Sequence, residues 1–248
     1  MEDQGDTPKL RKVAENPADC PPVPDGARLG PPVARPHKFL AIGLNYRKHA
    51  VETGNPIPGE PVIFTKATSC ICGPDDDTLI PRGSEKMDYE VELAFVMKDT
   101  VRNLASENDA MAHIAGFMIC NDVSERLFQM ERGGQWLKGK SADTFGPLGP
   151  WLVTADALPD CGNLALSTKV NGQLRQNSNT NDLIFSVPYC LWYLSQFMTL
   201  EAGDVITTGT PEGVAVGMGD PEAFLKHGDK VELTIDKLGD QTQKLVRP

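Results

Sequence analysis

The 248-residue chain carries 24 Lys plus Arg against 34 Asp plus Glu, a formal net charge of −10. That acidic balance argues against a nucleic-acid binder and against docking on anionic lipid. With 40% hydrophobic and 23% charged residues, the chain has the composition of a soluble domain long enough to bury a sizeable core.

No apolar run reaches the roughly 18 residues needed to span a bilayer, and MEDQGDTPKLRK lacks the apolar stretch of a secretory leader. The six cysteines are scattered without a C-x-x-C pair and read as reduced thiols, so a cytoplasmic protein is expected.

Eight prolines fall within residues 1–36, which excludes regular helix or central strand there. Residues 1–36 are expected to form an arm or a curtailed leading segment, and residues 37–248 the folded domain. KFLAIGLNY reads as a buried strand, RKHAVETG as a short helix stopped at Gly54, and PVIFTKA as a strand. DYEVELAFVM is the strongest strand signal. SENDAMAHI reads as a helix capped by Ser106, and AGFMICND as an apolar strand ending in two polar residues. SERLFQMERGGQW continues as a short helix that breaks at Gly133 and Gly134. PWLVTA, LALSTKVNGQLRQ, DVITTGT and KVELTIDKLG read as strands, with Asn171-Gly172 as a two-residue hairpin turn. One longer helix is predicted over 185–200. The pattern is that of a β-rich α+β chain with a few short helices, and no strand–helix alternation supports a Rossmann fold. Phosphate-loop, dinucleotide, zinc-protease and nucleophile-elbow motifs are all absent from the sequence.

On a strand through DYEVEL, Glu90 and Glu92 share a face about 7 Å apart. They form either the solvated face of an edge strand or part of a cation site. Asp122 closes the next strand, and three carboxylates without His or Cys make a hard, all-oxygen site. Such a site suits Mg²⁺, with Mn²⁺ or Ca²⁺ as alternatives. His49 and Glu52 stand at i and i+3 of a helix, so they are either a surface ion pair or an imidazole oriented by a carboxylate to act as a base. His37, His113 and His227 have no comparable neighbour in sequence. Lys138 and Lys140 alternate past a glycine, which lets one of them point inward. Lys66 interrupts an apolar strand. GTPEGV follows a strand as a turn whose N–H groups either cradle an anion or only reverse the chain.

Taken in order, GLNYRKHAVE, DYEVELAFV, CNDVSER, KGKSADTFGPLGPWLVT and GTPEGV resemble the fumarylacetoacetate hydrolase superfamily, over about residues 36–247. The resemblance implies a β-rich roll, a homodimer and a Mg²⁺-dependent pocket for a small anionic keto acid. It implies Glu90, Glu92 and Asp122 as metal ligands and His49, Glu52 and Lys140 as catalytic residues. It implies Lys66, Arg126, Gln129 and Thr210 as substrate contacts. The implied reaction is hydrolysis of a C–C bond in a 2,4-diketo acid of the acylpyruvate or fumarylacetoacetate kind. Oxaloacetate decarboxylation and keto-diacid isomerisation are the alternatives in the same pocket. Ala142 stands where relatives commonly carry a bulkier residue, a departure expected to alter pocket shape. Specificity is expected in loops 53–60 and 132–136, with Trp136 either covering the ligand or joining the core. Lys140, Lys66 and Arg126 with the metal are expected to make the pocket locally positive inside an acidic shell.

Overall fold

The computed structural model describes residues 13, 15–16, 18, 20–33 and 35–248, and the remainder of the expected leading arm lies outside the described residues. Within the described arm, residues 20–33 hold no strand or helix. The first strand, β1 (Phe39–Gly43), is buried along its whole length, and β2 (Val62–Lys66) runs antiparallel to it. Between them lies α1 (Arg47–Glu52), a short helix that buries His49 and Ala50. It stops where Gly54 takes φ +69°, a conformation that glycine adopts without a Cβ penalty.

Three two-residue strands follow, β3 (Ile71–Cys72), β4 (Thr78–Leu79) and β5 (Met87–Asp88). Then come β6 (Val91–Met97), β7 (Ile114–Asn121) and β8 (Ser124–Glu125). Helices α2 (Arg126–Met130) and α3 (Leu137–Lys140) lead to β9 (Gly146–Thr154), β10 (Ala165–Val170) and β11 (Gln173–Asn179). The chain continues through α4 (Val187–Ser195), β12 (Val205–Thr207), β13 (Lys230–Ile235) and β14 (Gly239–Val246).

The larger sheet has the order β2-β1-β12-β6-β7-β9-β3 and the smaller β11-β10-β13-β14-β4, while β5 pairs with β8 alone. Strand β13 lies against β6 and β7, and β14 against β7 and β9, so the two sheets face each other. One core joins them, with Phe95, Phe117 and Ile119 from the larger sheet and Val231, Leu233 and Ile235 from the smaller. Each such side chain contributes about 1.5–3 kcal/mol of burial free energy. This is a β-rich α+β fold with few short helices, as the sequence pattern implies. Among the described residues no helix is long and apolar enough to cross a membrane. All six cysteines are free thiols. Asn171 and Gly172 both take positive φ, 50° and 78°, as a two-residue hairpin turn of the primed type requires.

Four expectations need correction. DYEVELAFVM is two strands, because Asp88 pairs with Ser124 while Val91 pairs with Asn121, leaving Tyr89 and Glu90 between them. Nor is β6 a solvated edge: it lies between β12 and β7, with all seven residues buried. The segment Glu107–His113 is a 3₁₀ helix, whose Ser106 hydroxyl accepts from the Asn108 amide. The helix expected over 185–200 ends at Ser195, because Leu200 is drawn into a bridge with Val101.

Candidate active site

Strands β6 and β7 bring the acidic residues together. Their antiparallel register pairs Val91 with Asn121 and Glu92 with Cys120, which sets Asp122 beside Glu90. The Asp122 amide donates to the Glu90 carbonyl at 2.9 Å. The Asn121 side chain accepts from the Glu90 amide at 3.0 Å and donates to Gln243 of β14 at 3.0 Å. Carboxylate oxygens of Glu90, Glu92 and Asp122 then lie within 4.8 Å of one another, all buried.

Cationic side chains enclose this trio. The Lys140 ammonium donates to Glu90 Oε2 at 2.7 Å and to Asp122 Oδ2 at 2.8 Å. Lys66 donates to Asp122 Oδ1 at 2.5 Å and to the Lys140 carbonyl. The Arg126 guanidinium lies 2.6 Å from Glu90 Oε1 and donates through Nε to Asp88 at 2.8 Å. Lys140 reaches inward from α3 because that helix sits close on α2. A Cβ on Gly139 would lie 2.5 Å from the Gln129 Cβ and from the Glu125 carbonyl. Of the two lysines that alternate past Gly139, Lys140 is the buried one and Lys138 is exposed.

The two neighbouring glutamates are driven in opposite directions. Burial opposes ionisation of Glu90, but the Lys140 and Arg126 charges outweigh it and hold its carboxyl down at about 2. Burial, then the charges of Asp122 and Glu90, push Glu92 well above the usual carboxylate range. The Lys140 charge and the Gly209 amide, which donates to Oε2 at 2.8 Å, offset only part of this. A buried trio of oxygen donors with one carboxyl unable to ionise freely fits a hard divalent cation, whose charge would relieve the repulsion on Glu92. The other cluster of ligating type among the described residues, His37, Glu201 and Asp204, already holds the Lys38 ammonium, at 2.6 Å from Glu201 and 3.0 Å from Asp204.

Helix α1 presents His49 from the opposite side. Its Nδ1 lies 3.4 Å from Glu52 Oε2, while Glu52 Oε1 accepts from the Gly213 amide at 2.9 Å. The amides of the GTPEGV turn are given to the protein's own carboxyl groups: Gly209 takes Glu92 and Gly213 takes Glu52. Gly213 has φ +94°, and a Cβ there would lie 2.1 Å from the Arg175 carbonyl.

A cavity of about 310 Å³ opens between these groups. His49, Glu52, Glu90, Glu92 and Lys140 line it, and so do Arg126, Gln129 and Thr210. Asp122 and Lys66 do not reach the lining: both are buried behind it, against each other. Ala142 is not in the wall either and packs against the core. Trp136 is in the wall, edge-on to Phe64 with ring centroids 5.3 Å apart. It passes so close to Gly43 that a Cβ there would lie 2.4 Å from its ring. Outside the cavity, His113 pairs with Asp99 at 2.6 Å and His37 with Glu201 at 3.4 Å, partners that are remote in sequence.

Two supporting residues escaped the sequence reading. Asp88 accepts from Arg126 and from the amides of Ala215 and Val216, at 2.8, 2.8 and 3.1 Å. Its signal was its place two residues before Glu90 in DYEVEL. Gln176 donates to Thr210 Oγ1 at 2.9 Å and accepts from the Val91 amide at 3.1 Å, and nothing in its local sequence marks it.

The family profile described as fumarylacetoacetate (FAA) hydrolase C-terminal matches residues 38–246. A Burkholderia ambifaria protein is 52% identical over 235 residues, which is 95% of this chain and 82% of that one. Among solved structures, the fumarylacetoacetate hydrolase of psychrophilic Exiguobacterium antarcticum is 38% identical with a TM-score of 0.85, over 93% of this chain and 82% of that one. The 5-carboxymethyl-2-hydroxymuconate delta-isomerase of Mycobacterium smegmatis is 39% identical with a TM-score of 0.78, over 89% of this chain and 82% of that one.

Proposed function

Because this chain belongs to the fumarylacetoacetate hydrolase family, we propose that its cavity is the active site of a divalent-metal-dependent hydrolase that cleaves the C3–C4 bond of a 2,4-diketo acid. The observation that carries the reading is a convergence on one cavity. A histidine–carboxylate pair and a lysine ammonium meet there with Glu90 and Glu92, two of a buried carboxylate trio whose third member, Asp122, lies behind the wall. Glu90, Glu92 and Asp122 would hold the cation, with Mg²⁺ the best fit to hard oxygen donors and Mn²⁺ or Ca²⁺ also accommodated. When bound, it supplies Lewis-acid polarisation of a chelating 2-oxo acid.

The remaining chemistry belongs to side chains. Glu52 accepts from His49 Nδ1–H, which leaves Nε2 as the basic nitrogen. Nε2 takes a proton from water, and the oxygen attacks the C4 carbonyl. Lys140 has three N–H bonds, of which two go to Glu90 and Asp122, and the third is available to the oxyanion at C4. The C3–C4 bond breaks, C3 takes the proton back from His49, and R–CO–CH₂–CO–COO⁻ plus water gives R–COOH plus pyruvate. Arg126 and Gln129 position the ligand beside Glu90, and Lys66 acts from behind by holding Asp122. The family resemblance supports reading residues 37–248 as the catalytic domain of a homodimer, and six free thiols suit a cytoplasmic location.

The test is a Mg²⁺-supplemented assay of diketo acids with and without EDTA, repeated on His49→Ala. Activity should require the metal. His49→Ala should lose about 10²–10⁴-fold in kcat while binding Mg²⁺ as the wild type does in calorimetry. Full activity in that variant would remove the base from the mechanism.

A second reading, isomerisation of an unsaturated keto-diacid, is favoured by the likeness to the Mycobacterium smegmatis isomerase. It needs no attacking water. Turnover in H₂¹⁸O separates the two: hydrolysis puts label into the released carboxylate, and isomerisation returns a product of unchanged mass.

A further inference from the structure

Thr210 lines the cavity from the turn that follows β12, and a residue of the smaller sheet holds it there. We propose that Gln176 is a positioning residue: it fixes the Thr210 hydroxyl as a hydrogen-bond acceptor toward the cavity, to be met there by an O–H. The identity of that O–H rests on the hydrolase reading above.

Gln176 is fully buried on β11, at the edge of the smaller sheet. Its Nε2 donates to Thr210 Oγ1 at 2.9 Å and to the Pro211 carbonyl at 3.0 Å. Its Oε1 accepts from the Val91 amide at 3.1 Å and from Thr168 Oγ1 at 2.8 Å. These partners fix which way round the side chain stands. Pro211 offers a carbonyl and Val91 an N–H, so a flipped amide would set like against like at both. A primary amide has two donors and two acceptor sites, and here all four are used. The approach is possible because Gly213 has no side chain: a Cβ there would lie 2.1 Å from the Arg175 carbonyl and 3.1 Å from the Gln176 Cα.

A threonine hydroxyl has one proton and two lone pairs. In the register that sets Thr207 opposite Ala94, Thr210 falls opposite Val91, and its hydroxyl donates to the Val91 carbonyl at 3.1 Å. Gln176 occupies one lone pair. The second is left, so an atom that meets this oxygen from the cavity has to bring the hydrogen. Without Gln176 the hydroxyl would be free to rotate and give its own proton instead. On the hydrolase reading the attacking water is the donor. One of its hydrogens goes to His49 Nε2, and the other stays on the oxygen that bonds to C4. An acceptor for that second hydrogen orients the water for attack. Val91 stands between Glu90 and Glu92, so the same amide also steadies the strand that carries both.

The test reads kcat and KM for 2,4-dioxopentanoate at saturating Mg²⁺, with Tm as the measure of folding. Gln176→Met should lower kcat about tenfold, the worth of one hydrogen bond, and leave KM within about twofold, because the water is no part of the substrate. Thr168→Val removes a bond to the same amide from β10, outside the cavity lining, and should lower Tm while kcat stays as in the wild type. In a Thr210→Val background, Gln176→Met should cost less than about twofold in kcat. An equal fall in kcat for Thr168→Val, a further tenfold in the double variant, or a raised KM at unchanged kcat for Gln176→Met each overturns the proposal and leaves the hydrolase reading standing. If the wild type cleaves no 2,4-diketo acid, the hydrolase reading falls. In that case, or if Gln176→Met does not fold, neutron diffraction from wild-type crystals in D₂O decides. A deuteron on Thr210 Oγ1 aimed at the Val91 carbonyl upholds the proposal, and one aimed into the cavity or at Gln176 overturns it.

Discussion

Glu90 and Glu92 differ in their neighbours more than in their burial. Glu90 has two cations against it and is held at about 2, whereas Glu92 has two like charges against it and is pushed up from 4.5. The linkage signs follow. The Glu90 contribution to stability is present above about 4.5 and is lost as pH falls toward 2. The Glu92 contribution, with no cation bound, is complete below its ordinary value and is lost as pH rises through the raised one. A metal that needs all three carboxylates must displace the proton of Glu92. Calorimetry of Mg²⁺ binding in buffers of different ionisation enthalpy should therefore show proton release, approaching about one per ion, and an affinity that climbs with pH. Proton-neutral binding would mean that Glu92 is not a ligand. At this scale the acidic pair and the His–Glu pair were legible in the sequence, because an i,i+2 or i,i+3 spacing is local. Their supports were not. Asp88 meets the amide of Ala215 across 127 residues, and Gln176 meets Thr210 across 34.

Among the elements, β14 shows why pattern reading fails where a core is polar. Two of its three inward positions are Gln241 and Gln243, both buried like Leu245, so GDQTQKLV does not look like a half-buried strand. These amides have a purpose. Gln241 donates to the Ile119 and Gly149 carbonyls at 3.0 Å, and Gln243 accepts from Asn121, the residue that seats the Glu90 amide. Gln243→Leu keeps the volume and strands the Asn121 donor and the Pro74 carbonyl. It should cost about 1–3 kcal/mol, which is a Tm fall of roughly 2–10 °C for a chain of this size. It should also weaken Mg²⁺ binding through Asn121. An unshifted thermal melt would show that water replaces the amide at no cost. The short strands β3, β4, β5 and β8 were beyond sequence reading for another reason: two residues cannot display a period.

For the whole molecule the formal charge is −10, and the substrates proposed are anions. The locally positive pocket expected of Lys140, Lys66 and Arg126 with the metal would owe its sign to the cation, since the three side chains are matched by the protein's own carboxylates. Long-range steering of an anion by this surface is unfavourable, and salt screens it. Raising the NaCl concentration at constant Mg²⁺ should leave kcat/KM for a 2,4-diketo acid flat or slightly higher. A steep fall would reveal a positive approach path.

One side chain joins these scales. Glu52 aims the imidazole with one oxygen and fastens α1 to the opposite wall with the other, through Gly213. Gly217 passes so near that a Cβ would lie 2.4 Å from the Glu52 carboxyl carbon, so the seat admits that carboxylate with no room to spare. Any lifting of α1 to let a ligand in or out thus unseats the group that aims the base. On the proposed mechanism, fastening the helix and orienting the base therefore fall to a single carboxylate.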